Sequence, residues 1–335
     1  MSTTPEVDPS AAENTACASA EGDPRRPRIT LESGLTVRPW EDGDDLKLIE
    51  VWGDPENTMH HQDRALLRPS SNKPWSRCIV AEDEGVPVAA ATILRSSLHP
   101  DRLSFYAEVS PEHRRRGVAA ELLGILESEA VKASMPHLKA RCEKRSAAQC
   151  FLKDNAFTKV QVSRQIVVQP GSLKLPDLEG AGLDLQEIAT GSVELTQLVS
   201  EFYNAVHAWD RAEMTLGRAQ QMLLSEAVGA SGVVVLRDVS AGSDNRILAF
   251  AISYTPEQTD DPADVLLGWN PQLEDEEAEA ASLALLALLS ARYPVRVEVD
   301  NSMGPLKRVT DQLVENQDAE ADFEALIYVR DQAPE

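Results

Sequence analysis

The sequence predicts an α/β fold built twice in succession. Strand-like and helix-like segments alternate from residue 34 to residue 330, and a similar order of elements recurs after a Pro- and Gly-bearing break at 169–182. With 42% hydrophobic and 26% charged residues the composition is that of a packed chain, and 335 residues suit two domains of ordinary size.

Residues 1–33 carry Pro, Ser and acids but few large aliphatics and no period, and they read as a disordered tail. Order begins at "LTVRPW" (35–40), an alternating strand, followed by an acidic-start helix over 42–54. "SRCIVAEDEGVPVAAATILRSS" (76–97) reads as two strands joined by a turn at Glu84–Gly85. "RLSFYAEVS" (102–110) is a strand that Pro111 ends, and a helix runs from Val118 to about Ala133. A strand at 137–143, a helix at 146–156 and a strand at 158–168 close a first domain, 34–169. The linker is 170–182. A second domain, 183–330, follows with a strand at "LDLQEIA", helices at 192–209 and 215–228, and strands at "GVVVLRD", "RILAFAISYT" and "DVLLGWN". A helix at about 275–292, the strand "VRVEVD", a helix at 304–315 and the strand "FEALIYVR" complete it.

Charge separates the halves. Residues 34–170 carry 19 acids and 19 bases, whereas 171–335 carry 30 acids and 10 bases, within a total of −23. Such a balance excludes broad binding to nucleic acid or anionic membrane and favours cationic partners. Four cysteines without a CxxC pair read as reduced thiols. No basic, apolar leader occurs at the start, and the longest apolar run, 281–291, is too short to span a bilayer. The resulting expectation is a soluble cytoplasmic protein. No HExxH or similar spacing is present, so no metal is expected.

Against that acidity stands "VSPEHRRRGVAAELL" (109–123), where Arg114, Arg115 and Arg116 run into Gly117 at the mouth of a helix. A helix N-terminus offers unpaired N–H groups and a positive dipole end, and glycine lets a ligand approach the main chain. Guanidinium forks suit phosphate. The loop is built to hold a diphosphate, although it is neither a GxxxxGK[ST] nor a GxGxxG motif.

Arg114-Arg115-Arg116-Gly117-Val118-Ala119 resembles the [QR]-x-x-G-x-[GA] signature of the GCN5-related N-acetyltransferases, and the order of elements over 35–168 is similar to theirs. The resemblance implies two tandem domains of α+β type, each a mixed, mostly antiparallel twisted sheet flanked by helices. It implies acetyl-CoA as co-substrate, with Val109 pairing with the pantetheine arm and Arg114, Arg115, Arg116, Gly117, Val118, Ala119 and Ala120 around the diphosphate. It also implies transfer of acetyl to a primary amine, on a small molecule or a protein, by direct attack.

A second family pattern, N-x-x-A-x-x-[FL]-Y-x-x-x-G-F, matches 145–157 in Ala148, Phe151 and Phe157 only. Arg145 replaces Asn, Ala156 replaces Gly, and Leu152 stands where a tyrosine usually protonates the thiolate. The candidate catalytic pair is therefore Glu108 and Tyr106, on one face of the strand feeding the loop. His60 and His61, in "NTMHHQD", read as a loop pair, and His113 as a neighbour of phosphate or solvent.

In the second domain the equivalent stretch, "PQLEDEEAEAASLA" (271–284), has neither Gly nor Arg, and its acids would repel a diphosphate and cap the long helix. That half is expected to be a degenerate, non-catalytic copy that shapes the acceptor cleft, attracts a cationic amine or mediates dimerisation. The competing reading is a catalytically silent CoA-binding regulatory or scaffolding protein.

Overall fold

A computed structural model describes residues 28–255 and 261–331. Most of the expected tail, and Cys17 with it, lies outside the described residues; its end, 29–30, is already strand.

The first half runs β1 (Ile29–Thr30), β2 (Thr36–Pro39), α1 (Asp44–Trp52), α2 (Thr58–Arg64), β3 (Ser71–Asn72) and β4 (Trp75–Asp83). It continues with β5 (Val86–Arg95), β6 (Leu103–Val109), α3 (Val118–Lys132), β7 (Leu138–Glu143), α4 (Ala147–Asp154) and β8 (Thr158–Val168). The second half runs β9 (Leu183–Ile188), α5 (Val193–Val206), α6 (Leu216–Ala219), β10 (Ala230–Asp238), β11 (Ile247–Tyr254) and β12 (Ala263–Trp269). It ends with α7 (Asp275–Leu289), β13 (Val295–Asp300), α8 (Gly304–Glu315) and β14 (Ala319–Arg330).

Local chemistry accounts for most of these boundaries. The β4–β5 hairpin turns on Glu84 and Gly85 with φ of 46° and 87°, the left-handed pair that suits a two-residue hairpin to twisted strands. Asn57 caps α2 by accepting from His60 N at 2.8 Å, and this cap turns the expected His60–His61 loop into a helix. The expected helix at 215–228 is broken up: α6 passes into a π turn at 220–224 and a 3₁₀ turn at 226–228.

The sheet order is β1-β2-β4-β5-β6-β7-β14-β8-β13-β12-β11-β10-β9, with β3 beside β4. Two pairs in it are parallel, β6–β7 and β12–β13, one in each half. The remaining pairs are antiparallel. The halves exchange their last strands: β14 enters between β7 and β8, and β8 pairs on its other side with β13. One core lies between the sheet and α3 and takes Leu326 and Tyr328 from β14. The second half has its own core around Phe202, Phe250 and Leu285.

On the opposite face of the first half, α1 is pinned by a buried ion triad. Arg38 donates to Asp44 at 2.7 and 2.8 Å and to Glu82 at 2.6 Å. Burial pushes the Asp44 carboxyl up, but Arg38 and the Glu41 amide together hold it below its ordinary value. Replacing Arg38 by Met would strand two carboxylates, Asp44 being 0% exposed, and is expected to cost about 3–5 kcal/mol. A melting temperature unchanged from wild type would refute this role for the triad.

Candidate active site

Where β6 ends, Ser110 N donates to Val88 O and a 3₁₀ turn (Pro111–His113) begins. His113 is strapped between Ser110 Oγ (2.7 Å) and Asp83 Oδ2 (3.0 Å), so it ties the loop to the neighbouring hairpin. Arg114 Nε donates back to Val109 O at 2.9 Å. Arg115 and Gly117 both take left-handed φ, 64° and 83°. Such turns aim successive N–H groups into one concavity. Among the described residues none accepts a hydrogen bond from the amides of Arg115, Arg116, Gly117, Val118 or Ala119. Ala120 differs, because its amide bonds to Gly117 O at 2.9 Å and is spent within the helix. Val118 is buried and seats α3, along with Leu122, Leu123, Leu126 and Ala130.

Left-handed backbone is costly for arginine, about 1 kcal/mol against glycine. Arg115→Gly should therefore raise stability by roughly 1 kcal/mol, a gain of about 2 °C in a chain of this size, readable in a thermal melt. A fall in melting temperature would show that the Arg115 side chain carries structure.

β6 and β7 pair only at Leu103↔Leu138 and Ser104↔Lys139, and then diverge. Leu103 N bonds to His137 O on the β7 side and Ser110 N to the β5 side. By alternation, the main-chain groups of Phe105, Ala107 and Val109 face the gap. An extended amide-bearing chain laid in this gap would complete the missing ladder. Val109 O is already engaged by Arg114, which leaves the Val109 amide for that purpose.

Across the sheet the structure brings Tyr106 and Glu108 together: Tyr106 Oη donates to Glu108 Oε2 at 2.7 Å. It adds two residues that sequence reading missed or misplaced. Arg64 grips both Glu108 oxygens at 2.7 and 2.8 Å and lies over the Trp52 ring, and His60 Nε2 stands 3.2 Å from Oε2. Glu56 N donates to His60 Nδ1 at 3.3 Å, which leaves Nε2 to carry the proton toward Glu108. His61 points to solvent. Burial pushes the Glu108 carboxyl up, but Arg64 and Tyr106 bring it below its usual range. Burial first, and then Glu108, push the Tyr106 phenol well above its ordinary value, so it keeps its proton. The signal for α2 was its Asn57 cap; nothing local pointed Arg64 at Glu108.

On α4, Leu152 is 2% exposed and packs in the core under the sheet, where it has no proton to donate. In the second half, β12 and β13 also diverge after three pairs. The loop beyond β12 buries Leu273, and acids of the first turns of α7 pair with arginines, Glu277 with Arg246 and Asp275 and Glu279 with Arg308. Contrary to expectation, no side chain caps α7; its acids form ion pairs instead. Among the described residues no cluster of His, Cys, Asp and Glu could hold a metal, and no helix is long and apolar enough to cross a membrane.

A splayed parallel strand pair, repeated in a shared sheet and closed in the first half by a glycine loop at a helix N-terminus, defines a tandem α+β protein of the GNAT fold. Residues 38–155 match the model of the Acetyltransferase (GNAT) family, so the first half is a domain of that family. Among solved structures, the chain is similar to a GCN5-related N-acetyltransferase from Sphaerobacter thermophilus at 14% identity and TM-score 0.58, covering 91% of this chain and 98% of that one. It is similar to a tandem GNAT protein from the clavulanic acid biosynthesis pathway at 15% identity and TM-score 0.56, covering 90% and 99%. A GCN5-related N-acetyltransferase from Kribbella flavida follows at 14% and 0.51, covering 88% and 71%. No curated protein matches the chain in sequence.

Proposed function

We propose that the chain is an acetyl-CoA-dependent N-acetyltransferase acting on a primary, cationic amine, with its chemistry in the first half. The observation that carries this reading is the meeting of five unpartnered amides at 115–119 with the unpaired edge of β6. A diphosphate fits the first and a pantetheine arm the second.

In this reading the amine nitrogen attacks the thioester carbon, the N–C bond forms and the C–S bond breaks. Glu108 draws the ammonium in. The ammonium first gives one proton to water, because a carboxylate held this low is a weak base for it; the neutral amine attacks, and Glu108 receives the second proton once the new N–C bond has made it acidic. Tyr106 orients Glu108 by its hydrogen bond. Leu152 gives no proton, so the departing sulfur takes one from water.

The arrangement of Leu152 and the Arg64 clamp also suits the silent CoA-binding alternative, and one experiment separates the two. Calorimetry with CoA tests the cradle, and release of free thiol from acetyl-CoA over a panel of amines tests turnover. Turnover that drops about a hundredfold in Glu108→Gln, with CoA affinity intact, is the expected result. Tight CoA binding with no thiol released for any amine would establish the silent reading, and absence of CoA binding would sink both.

A further inference from the structure

A cavity of about 440 Å³ opens between the halves, on the sheet face that carries Tyr106. Tyr106, Lys139 and Arg141 line it from the first half, and Trp209, Glu298 and Asp300 from the second. Two of its acids are neutralised from within the chain. Asp63 takes Arg141 at 2.7 Å, and Asp210 takes Lys139 at 2.6 Å and Arg102 at 2.9 Å. Glu298 and Asp300 are different. They project from the same face of β13, two residues apart, and neither has a basic partner among the described residues.

Asp300 is 9% exposed, and its Oδ1 is buried without a hydrogen-bond partner. Ser163 donates to Glu298 at 2.7 Å and Gln161 to Ser302 at 2.9 Å, and the hydrogen bonding they also offer the Asp300 carboxyl leaves Oδ1 without a partner. Nor does local structure use the carboxyl: the turn into α8 is made by the main chain, with Asp300 O accepting from Met303 N at 3.0 Å. Burial, reinforced by the Glu298 charge and only partly offset by hydrogen bonding to Ser163 and Gln161, pushes the Asp300 carboxyl up to about 6. A folded chain holds an unpaired buried carboxylate at a cost, and such groups mark places where a ligand supplies the missing partner. The same cavity wall holds a second orphan, the indole Nε1 of Trp209, again buried and unpartnered.

We propose that Glu298 and Asp300 hold a second ammonium group of the acceptor, distal to the amine that is acetylated, so that the second half selects dicationic amines. The inference rests on the acetyl-transfer reading for the identity of that acceptor. It gives the second half a binding role in place of the lost cofactor loop: its acids supply the two negative charges that the cavity's own Lys139 and Arg141 leave unmatched.

The test is calorimetry on the full chain with 1,4-diaminobutane and 1,5-diaminopentane as probes and butylamine as the monocation control. Wild type is expected to bind both dications more tightly than butylamine. Asp300→Asn should weaken dication binding at least about tenfold, leave butylamine unchanged, and keep or raise the melting temperature because a buried unpaired charge is gone. A structural carboxylate would instead lower the melting temperature. Should Asp300→Asn fail to fold, Glu298→Gln reads the same loss. Binding of neither dication by wild type, or full dication affinity in both variants, overturns the proposal. Thiol release is scored separately: dication binding without turnover would keep the anchor and sink the transfer reading, while turnover with no preference for dications would do the reverse.

Discussion

Gly117→Val is expected to weaken CoA binding at least about a hundredfold in a calorimetric titration, while Gly117→Asn keeps most of it. Space is not the reason, since an added Cβ would meet only Glu121 Oε1, at 3.9 Å. Conformation is the reason: φ is 83° here, a region that β-branched residues avoid and asparagine tolerates. Valine must swing the backbone out of the left-handed region, and the free amides of 115–119 then no longer converge. A stability loss of about 1–3 kcal/mol should accompany the change. Equal CoA affinity in the valine variant would show that these amides do not hold the phosphates.

Cutting the chain after Asp318 should abolish folding of both halves. β14 is an interior strand, paired to β7 over Ala325–Arg330 and to β8 along most of its length. Its removal leaves two unpaired edges in the middle of the sheet, and it withdraws Tyr328 and Leu326 from the core beneath α3. The expected signature is loss of the cooperative thermal transition and rapid proteolysis of the truncated chain. For the same reason residues 34–170 alone, though they contain the entire cofactor loop, should not bind CoA as a stable monomer. A folded, CoA-binding fragment would refute the structural dependence of the halves.

Much of this was legible in the chain because it is local. The alternation in "LTVRPW", the Glu84–Gly85 turn, Pro111 at a strand end and Gly117 before an apolar-periodic helix each act within a few residues, and each element appears where its pattern places it. The pairing of Tyr106 with Glu108 was likewise readable, because two residues along a strand return to the same face. The short α2 escaped, since seven residues show little period and its signal lies in a single cap.

What the sequence by itself determined is most of the succession of elements, the glycine at the mouth of α3 and the charge contrast between the halves. These follow from backbone sterics, side-chain period and composition, which need no distant neighbour. The tertiary structure alone decided that β14 lies inside the first half's sheet, that Arg64 clamps Glu108, and that Asp300 faces a cavity shared by both halves. Those contacts join residues far apart in the chain, as Gln149 and Tyr328 are at 179 positions. The balance of burial and charge that selects them exists only after the whole sheet has closed.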